Sequence, residues 1–195
     1  MRTKEGNKEK DILEAAVKVF ASEGYHRAKI SKISEVANVA TGSVYVYFQN
    51  KESILLKIFD TLWEKLYNEF RIISESKSYS PLEKIESMID LVFDVFTEDP
   101  SLAIVFVNEQ HHLIQRNETV FTNYYDKFLD VGEKVFRQGI TQKAFRHSVD
   151  VKIFRFYLLG AMRNLLNQWA QNPKAFPLNK IRQNIKFLTK HGIKR

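Results

Sequence analysis

From Leu55 to Phe70 the apolar residues Leu55, Ile58, Phe59, Leu62, Leu66 and Phe70 return every third or fourth position, with no Gly or Pro among them. Only an α-helix gathers such positions on one face, so this run fixes a long amphipathic helix that begins near Lys51. The rest of the chain keeps the same period. Ile12, Leu13, Ala16, Val17, Val19 and Phe20 predict a helix over 8 to 23 that stops at Gly24, and Ile30, Ile33, Val36 and Ala37 predict a short one over 29 to 37. Ser74 to Ser80 holds four Ser in seven residues and reads as a loop. Ser80-Pro81-Leu82-Glu83 then supplies a cap, a first-turn Pro and a Glu at the third position, which together start a helix. Further helices are expected over about 81 to 97, 100 to 114, 118 to 140, 149 to 171 and 178 to 190. With only 7 Gly and 4 Pro in 195 residues, the expected class is all-α.

Several kinds of chemistry are set aside by what the chain lacks. Zero Cys excludes disulfides, thiolate zinc sites and cysteine nucleophiles. No apolar run reaches the roughly 18 residues of a membrane span, and Met1-Arg2-Thr3-Lys4-Glu5 is not the start of a signal peptide, so no membrane partner and a cytoplasmic location are expected. His111 and His112 are adjacent and therefore point to different sides of a helix, no i, i+4 His or carboxylate pair completes a site with Glu109, and no metal is expected. There is no nucleophile elbow, no glycine-rich phosphate loop and no pair of carboxylates in an apolar surround. The chain is expected not to be an enzyme and to need no cofactor.

Charge is unevenly spread. Residues 1 to 51 carry nine Lys or Arg against six Asp or Glu, a net +3, whereas residues 52 to 171 carry fourteen against seventeen, a net −3. Residues 172 to 195 carry seven basic residues and no acidic ones. A basic head suits nucleic acid; the basic tail is read as a solvated helix face or as a surface for a second anionic partner.

Between the two ends of that head, Asn38-Val39-Ala40 makes a tight turn into Thr41-Gly42-Ser43-Val44-Tyr45-Val46-Tyr47-Phe48. On a short helix Val44 and Phe48 lie one turn apart on an inward face, and Tyr45, Val46 and Tyr47 are left outward. Two short helices joined in this way make a helix-turn-helix. Thr41 is expected to cap the second helix through its hydroxyl, Gly42 to allow close approach, and Val46 to be available to a thymine methyl.

At this point a resemblance is plain. Ala15-Ala16 through Phe20, Glu23-Gly24-Tyr25, Ile33-Ser34-Glu35-Val36-Ala37-Asn38-Val39, Gly42-Ser43-Val44-Tyr45 and Tyr47-Phe48-Gln49-Asn50-Lys51-Glu52 resemble the N-terminal domain of the TetR family of transcriptional regulators. The likeness runs over about 45 residues without a gap. It departs at Ala28, where the family often has Thr, and at Asn38, where it usually has Gly. The resemblance implies a three-helix DNA-binding domain over 1–51 and a helical effector-binding and dimerisation domain over 52–195. Its DNA contacts map onto Ser31, Thr41, Gly42, Ser43, Tyr45 and Tyr47, with Lys51 on a phosphate; Lys29 and Lys32 are added from charge alone. Tyr45 and Tyr47 also suit a cover for the small core, and the two lysines a solvated surface.

In the family the C-terminal region binds a small effector and pairs two protomers. Aromatic residues crowd this region at helical spacings, and an apolar core accounts for most of them. Phe93, Phe96, Phe106, Phe121, Tyr124, Phe128 and Tyr157, with the polar Glu109, Gln110, Asn164 and Gln168 set among them, are the candidate lining of an effector site. Leu102-Ala103-Ile104-Val105 followed by Glu109 is similar to TetR-type regulators of fatty-acid degradation that respond to acyl-CoA. Drug-like cations, flavonoids, other lipids or no ligand at all stay open. Phe154, Leu158, Ala161 and Leu165, with Ile181, Ile185 and Leu188, are expected to form a homodimer interface of four helices, two from each protomer. The reading is a homodimeric repressor released from a palindromic double-stranded DNA operator by a small hydrophobic effector; the alternative is an adaptor of the same fold that binds DNA without an effector and contacts a protein.

Overall fold

The structure, a computed structural model, describes residues 8–115 and 119–194, and their side chains outside 111–122. Among the described residues the architecture is nine helices and no strand, with one isolated bridge between Phe145 and Lys194. In chain order they are α1 (Lys8–Glu23), α2 (Ile30–Val36), α3 (Thr41–Tyr47), α4 (Lys51–Glu75), α5 (Pro81–Glu98), α6 (Pro100–Gln115), α7 (Thr119–Thr141), α8 (Val151–Gln171) and α9 (Leu178–Ile193). No described helix is long and apolar enough to cross a membrane.

Two compact units form. One takes the chain through Leu62 together with Ser101–Phe121; the other takes Trp63–Pro100 together with the chain from Thr122. In the first, α1 brings Ile12, Ala16 and Phe20 against Ile33 of α2 and Val44 of α3, none of them more than 3% exposed. Burying each of the larger side chains contributes about 1.5–3 kcal/mol, which sets the packing of three short helices that would not persist alone. Gly24, at φ 80°, ends α1 by donating its N–H to the Phe20 carbonyl, a left-handed conformation that suits Gly. Asn38 makes the α2–α3 turn at φ 54°, and among side-chain-bearing residues Asn enters that region most readily.

The second unit is built on aromatic contacts between α4, α7 and α8. Phe70 of α4 stacks on Phe128 of α7 at 4.5 Å, and Phe136 of α7 lies 4.4 Å from Phe154 of α8 and 5.1 Å from Phe145. Helix α5 starts with the reciprocal cap its sequence predicts: Ser80 Oγ accepts from the Glu83 N–H while the Glu83 carboxylate accepts from the Ser80 N–H at 2.7 Å. Helix α9 is held to α5 by Lys186 on Asp90 at 2.6 Å and by Arg182 on Asp90 and Asp94. Thus part of the basic C-terminal charge is paired inside the unit.

Candidate nucleic-acid interface and effector cavity

Helix α3 is anchored on one side and bare on the other. Val44 is 0% exposed and Phe48 5%, whereas Tyr45, Val46 and Tyr47 are 54%, 79% and 39% exposed. An outward face with two phenols and a valine is thus left uncovered by the described residues. Thr41 does not cap α3: it is the first helical residue, Ala40 holds the cap position, and no side chain caps the helix. Instead Thr41 Oγ1 meets Ser34 Oγ at 2.8 Å, and Ser34 Oγ lies 2.8 Å from the Ser31 carbonyl. Because the carbonyl can only accept, Ser34 donates to it and Thr41 donates to Ser34. Gly42 is exposed, and a Cβ there would meet nothing within 4 Å, so packing inside the protomer does not call for Gly. Ser43 is half-buried and donates its backbone N–H to the Ala40 carbonyl.

The cationic residues divide by what they already touch. Lys29 is exposed at the N-cap of α2, next to an exposed Ser31. Lys32 is paired with Glu35 at 2.7 Å, and the Glu35 hydrogen bond, then its charge, hold the ammonium pKa above its usual value. Lys51 turns back into the unit. Its Nζ donates to the carbonyls of His26 at 2.9 Å and Ala28 at 3.1 Å and lies 4.6 Å from the centre of the Tyr25 ring.

The second unit holds an apolar cavity of about 70 Å³. Phe70 of α4, Ile85 and Ile89 of α5, Phe128, Leu129, Gly132 and Phe136 of α7, and Phe154, Leu158 and Met162 of α8 line it. One ion pair interrupts this wall: Arg155 Nη1 lies 2.6 Å from Glu133 Oε1, while the buried Arg155 Nε has no hydrogen-bond partner among the described residues. A buried donor left unmade costs about 1–3 kcal/mol, so this atom marks a place where an acceptor is welcome. Beside the cavity-lining Phe128, burial pushes the Tyr125 phenol pKa up, and its ring packs on Trp63 at 4.8 Å.

The residues expected around an effector scatter. Of those whose side chains are described, Phe128 alone lines this cavity. Phe93 and Phe96 are fully buried elsewhere in the second unit, Tyr124 is half-buried with its hydroxyl on Glu64 at 3.1 Å, and Tyr157 and Asn164 are exposed while Gln168 is half-buried. Phe106, Glu109 and Gln110 are buried in the first unit, where Phe106 packs on Phe59 and Gln110 Oε1 has no hydrogen-bond partner among the described residues. The side chain of Phe121 lies outside the described residues.

The residues expected to pair two protomers differ in how far the protomer itself buries them. Phe154 and Leu158 face the cavity, Ile181 and Ile185 are 6% and 5% exposed, and Ala161 and Leu165 are half-buried, which leaves Leu188 at 57% as the exposed member. Phe154, Leu158, Ile181 and Ile185 thus pack the protomer itself. Large apolar side chains are left more than half exposed at Ile153, Phe156 and Tyr157 of α8 and at Phe187 and Leu188 of α9. Because α8 is apolar on more than one side, period alone does not say which stripe is internal. The cavity-lining Gly132, Glu133 and Arg155 carried no motif.

A helix-turn-helix with an exposed outer face, in one chain with a helical unit that holds an apolar cavity, is the architecture of a DNA-binding regulator. Residues 12–58 match the family of bacterial regulatory proteins, tetR family, and residues 78–172 match the tetracyclin repressor-like C-terminal domain. The chain belongs to the TetR family and is a DNA-binding transcriptional regulator. It is 27% identical over 182 residues to the fatty acid metabolism regulator protein of Bacillus subtilis, covering 93% of each chain. The structure of the fatty acid degradation regulator FadR from Bacillus halodurans superposes with a TM-score of 0.86 at 26% identity, covering 97% of this chain and 98% of that one. FadR from Bacillus subtilis, solved in complex with stearoyl-CoA, gives a TM-score of 0.81 at 28% identity, covering 94% and 98%.

Proposed function

We propose that this regulator represses transcription as a homodimer on a palindromic operator and is released by a long-chain acyl-CoA. DNA reading is assigned to residues 1–51, through the outward face of α3 in a major groove, with Tyr45, Tyr47, Thr41, Ser43 and the close backbone at Gly42 as contacts, and Ser31, Lys29 and Lys32 on the flanking phosphates. Effector binding and pairing are assigned to residues 52–195.

The observation that carries the effector reading is the apolar cavity walled by α4, α5, α7 and α8, broken only by Glu133 and Arg155. An acyl chain suits such a wall, and the unpartnered Arg155 Nε suits an acceptor such as a thioester oxygen. At about 70 Å³ the cavity is far below the roughly 300 Å³ of a typical ligand site, so binding must spread the helices around it. Helix α4, which supplies Phe70 to the wall, is continuous back to Lys51. Spreading that moves α4 therefore reaches the reading head, and the effector acts through its higher affinity for the spread form.

Native mass spectrometry of the purified protein with stearoyl-CoA tests the reading. A dimer that takes up the acyl-CoA, and a variant Phe154→Trp that fills the cavity and does not, are the expected result. Equal uptake by both would move the ligand elsewhere.

A further inference from the structure

The ammonium of Lys51 is already engaged. Two carbonyl oxygens, of His26 and Ala28, take hydrogen bonds from Nζ, and the Tyr25 ring face takes part of its charge. All three acceptors belong to the turn between α1 and α2, more than twenty residues upstream in the chain. An ammonium has three donors and no acceptor, so this cradle uses most of its directional capacity.

The cradle sits where it governs the reading head. Ala28 immediately precedes Lys29, the N-cap of α2, and α2 begins without a side-chain cap. The turn is otherwise folded by Ala28 N–H on the Gly24 carbonyl and by Arg27 Nε on the Glu23 carbonyl. From α2 the Ser34–Thr41 contact carries the placement on to α3. Lys51, as the first residue of α4, thus ties the start of that helix to the start of the helix-turn-helix.

We propose that Lys51 is a positioning residue, which pins the α1–α2 turn to α4 and sets the pose of the reading helix, and is not a phosphate ligand. The inference rests on the DNA-binding reading above. An Arg would not serve, because a planar guanidinium fork does not present one compact charge to two carbonyls and a ring.

Two measurements on the full-length protein test it, with Lys29, exposed at the N-cap of α2, as internal reference. The first is residue-resolved acylation of lysines in wild-type protein, free and bound to a DNA fragment from upstream of its own gene. Lys51 is expected to react at least about tenfold more slowly than Lys29 in the free protein, as loss of its charged hydrogen bonds demands, with no added protection on DNA. Reactivity equal to Lys29, or new protection on DNA, overturns the proposal. This readout on free protein stands even if that fragment is not bound, in which case it is the DNA reading that fails.

The second is the salt dependence of DNA binding by Lys51→Met at a temperature where circular dichroism shows it folded. Binding at least about tenfold weaker, with the slope of log affinity against log salt unchanged, is expected of a positioning residue. A slope reduced by about 0.9 would reveal a phosphate contact, and wild-type affinity would reduce Lys51 to a stabilising role; either overturns the proposal. If the variant does not fold, the lysine reactivities decide.

Discussion

Ser34 Oγ and Thr41 Oγ1 stand 2.8 Å apart, joining α2 to the first residue of α3 across the turn at Asn38. Ser34 is 3% exposed and gives its proton to the Ser31 carbonyl, so the link depends on the proton of Thr41. Thr41→Val keeps the shape and removes that donor, and the loss of one such bond is expected to lower stability by about 0.5–1.5 kcal/mol. Ser34→Ala removes both bonds and is expected to cost more. Chemical denaturation of the two variants checks the order; Ser34→Ala milder than Thr41→Val would mean that the contact does not join the helices.

The bare apolar residues of α8 and α9 predict how two protomers meet. Phe156→Glu together with Leu188→Glu places charges on side chains that are 66% and 57% exposed in the protomer, so folding is spared while pairing is lost. Ile185→Glu, at 5% exposure, instead buries an unpaired charge and is expected to unfold the second unit. Sedimentation velocity should show folded monomers for the first variant; persistent dimers would put the interface on another face.

Gly132 lies mid-helix in α7 on the cavity wall, and a Cβ there meets nothing within 4 Å. Gly132→Ala is therefore expected to raise stability by about 0.5–1 kcal/mol, the helix-propensity difference between the two residues. Gly132→Phe projects a ring into the cavity and is expected to leave DNA binding intact while abolishing its reversal by acyl-CoA. Thermal unfolding checks the first expectation and DNA-binding titration the second.

Glu83 predicts a pH dependence. Hydrogen bonding to the Ser80 side chain, then to its backbone N–H, holds the Glu83 carboxyl below its ordinary pKa. A depressed folded pKa means that its contribution is present above the unfolded value and is lost as pH falls through the folded one. The midpoint gap between wild type and Glu83→Gln should accordingly be widest above the ordinary carboxylate range and shrink as the pH falls through the lowered pKa of Glu83. A gap independent of pH would show that the charge on Glu83 does not matter to the cap.

These particulars show what a sequence reveals. The helices and the inward register of Val44 and Phe48 follow from period and from turn residues such as Gly24 and Asn38, all local properties of the chain. The capping box at Ser80 and Glu83 is likewise local and was legible in full. Lys51 was not, because a charge beside a reading helix looks outward until the fold brings the His26 carbonyl, 25 residues away in sequence, within 2.9 Å. On α8 the stripe through Phe154, Leu158 and Met162 and the stripe through Ile153, Phe156 and Tyr157 are both rich in large apolar side chains, and only tertiary packing separates them. The cavity depends on a gap beside Gly132 that no residue pattern announces.

The most direct test is a binding titration with a fluorescent DNA fragment from upstream of the regulator's own gene, followed by addition of stearoyl-CoA. The account predicts that a protein dimer binds the fragment, with affinity falling steeply as salt rises, and that stearoyl-CoA releases it from wild type but not from Gly132→Phe. A complex that persists at saturating stearoyl-CoA, or equal release from the variant, would contradict the assignment of an acyl-CoA effector to this cavity.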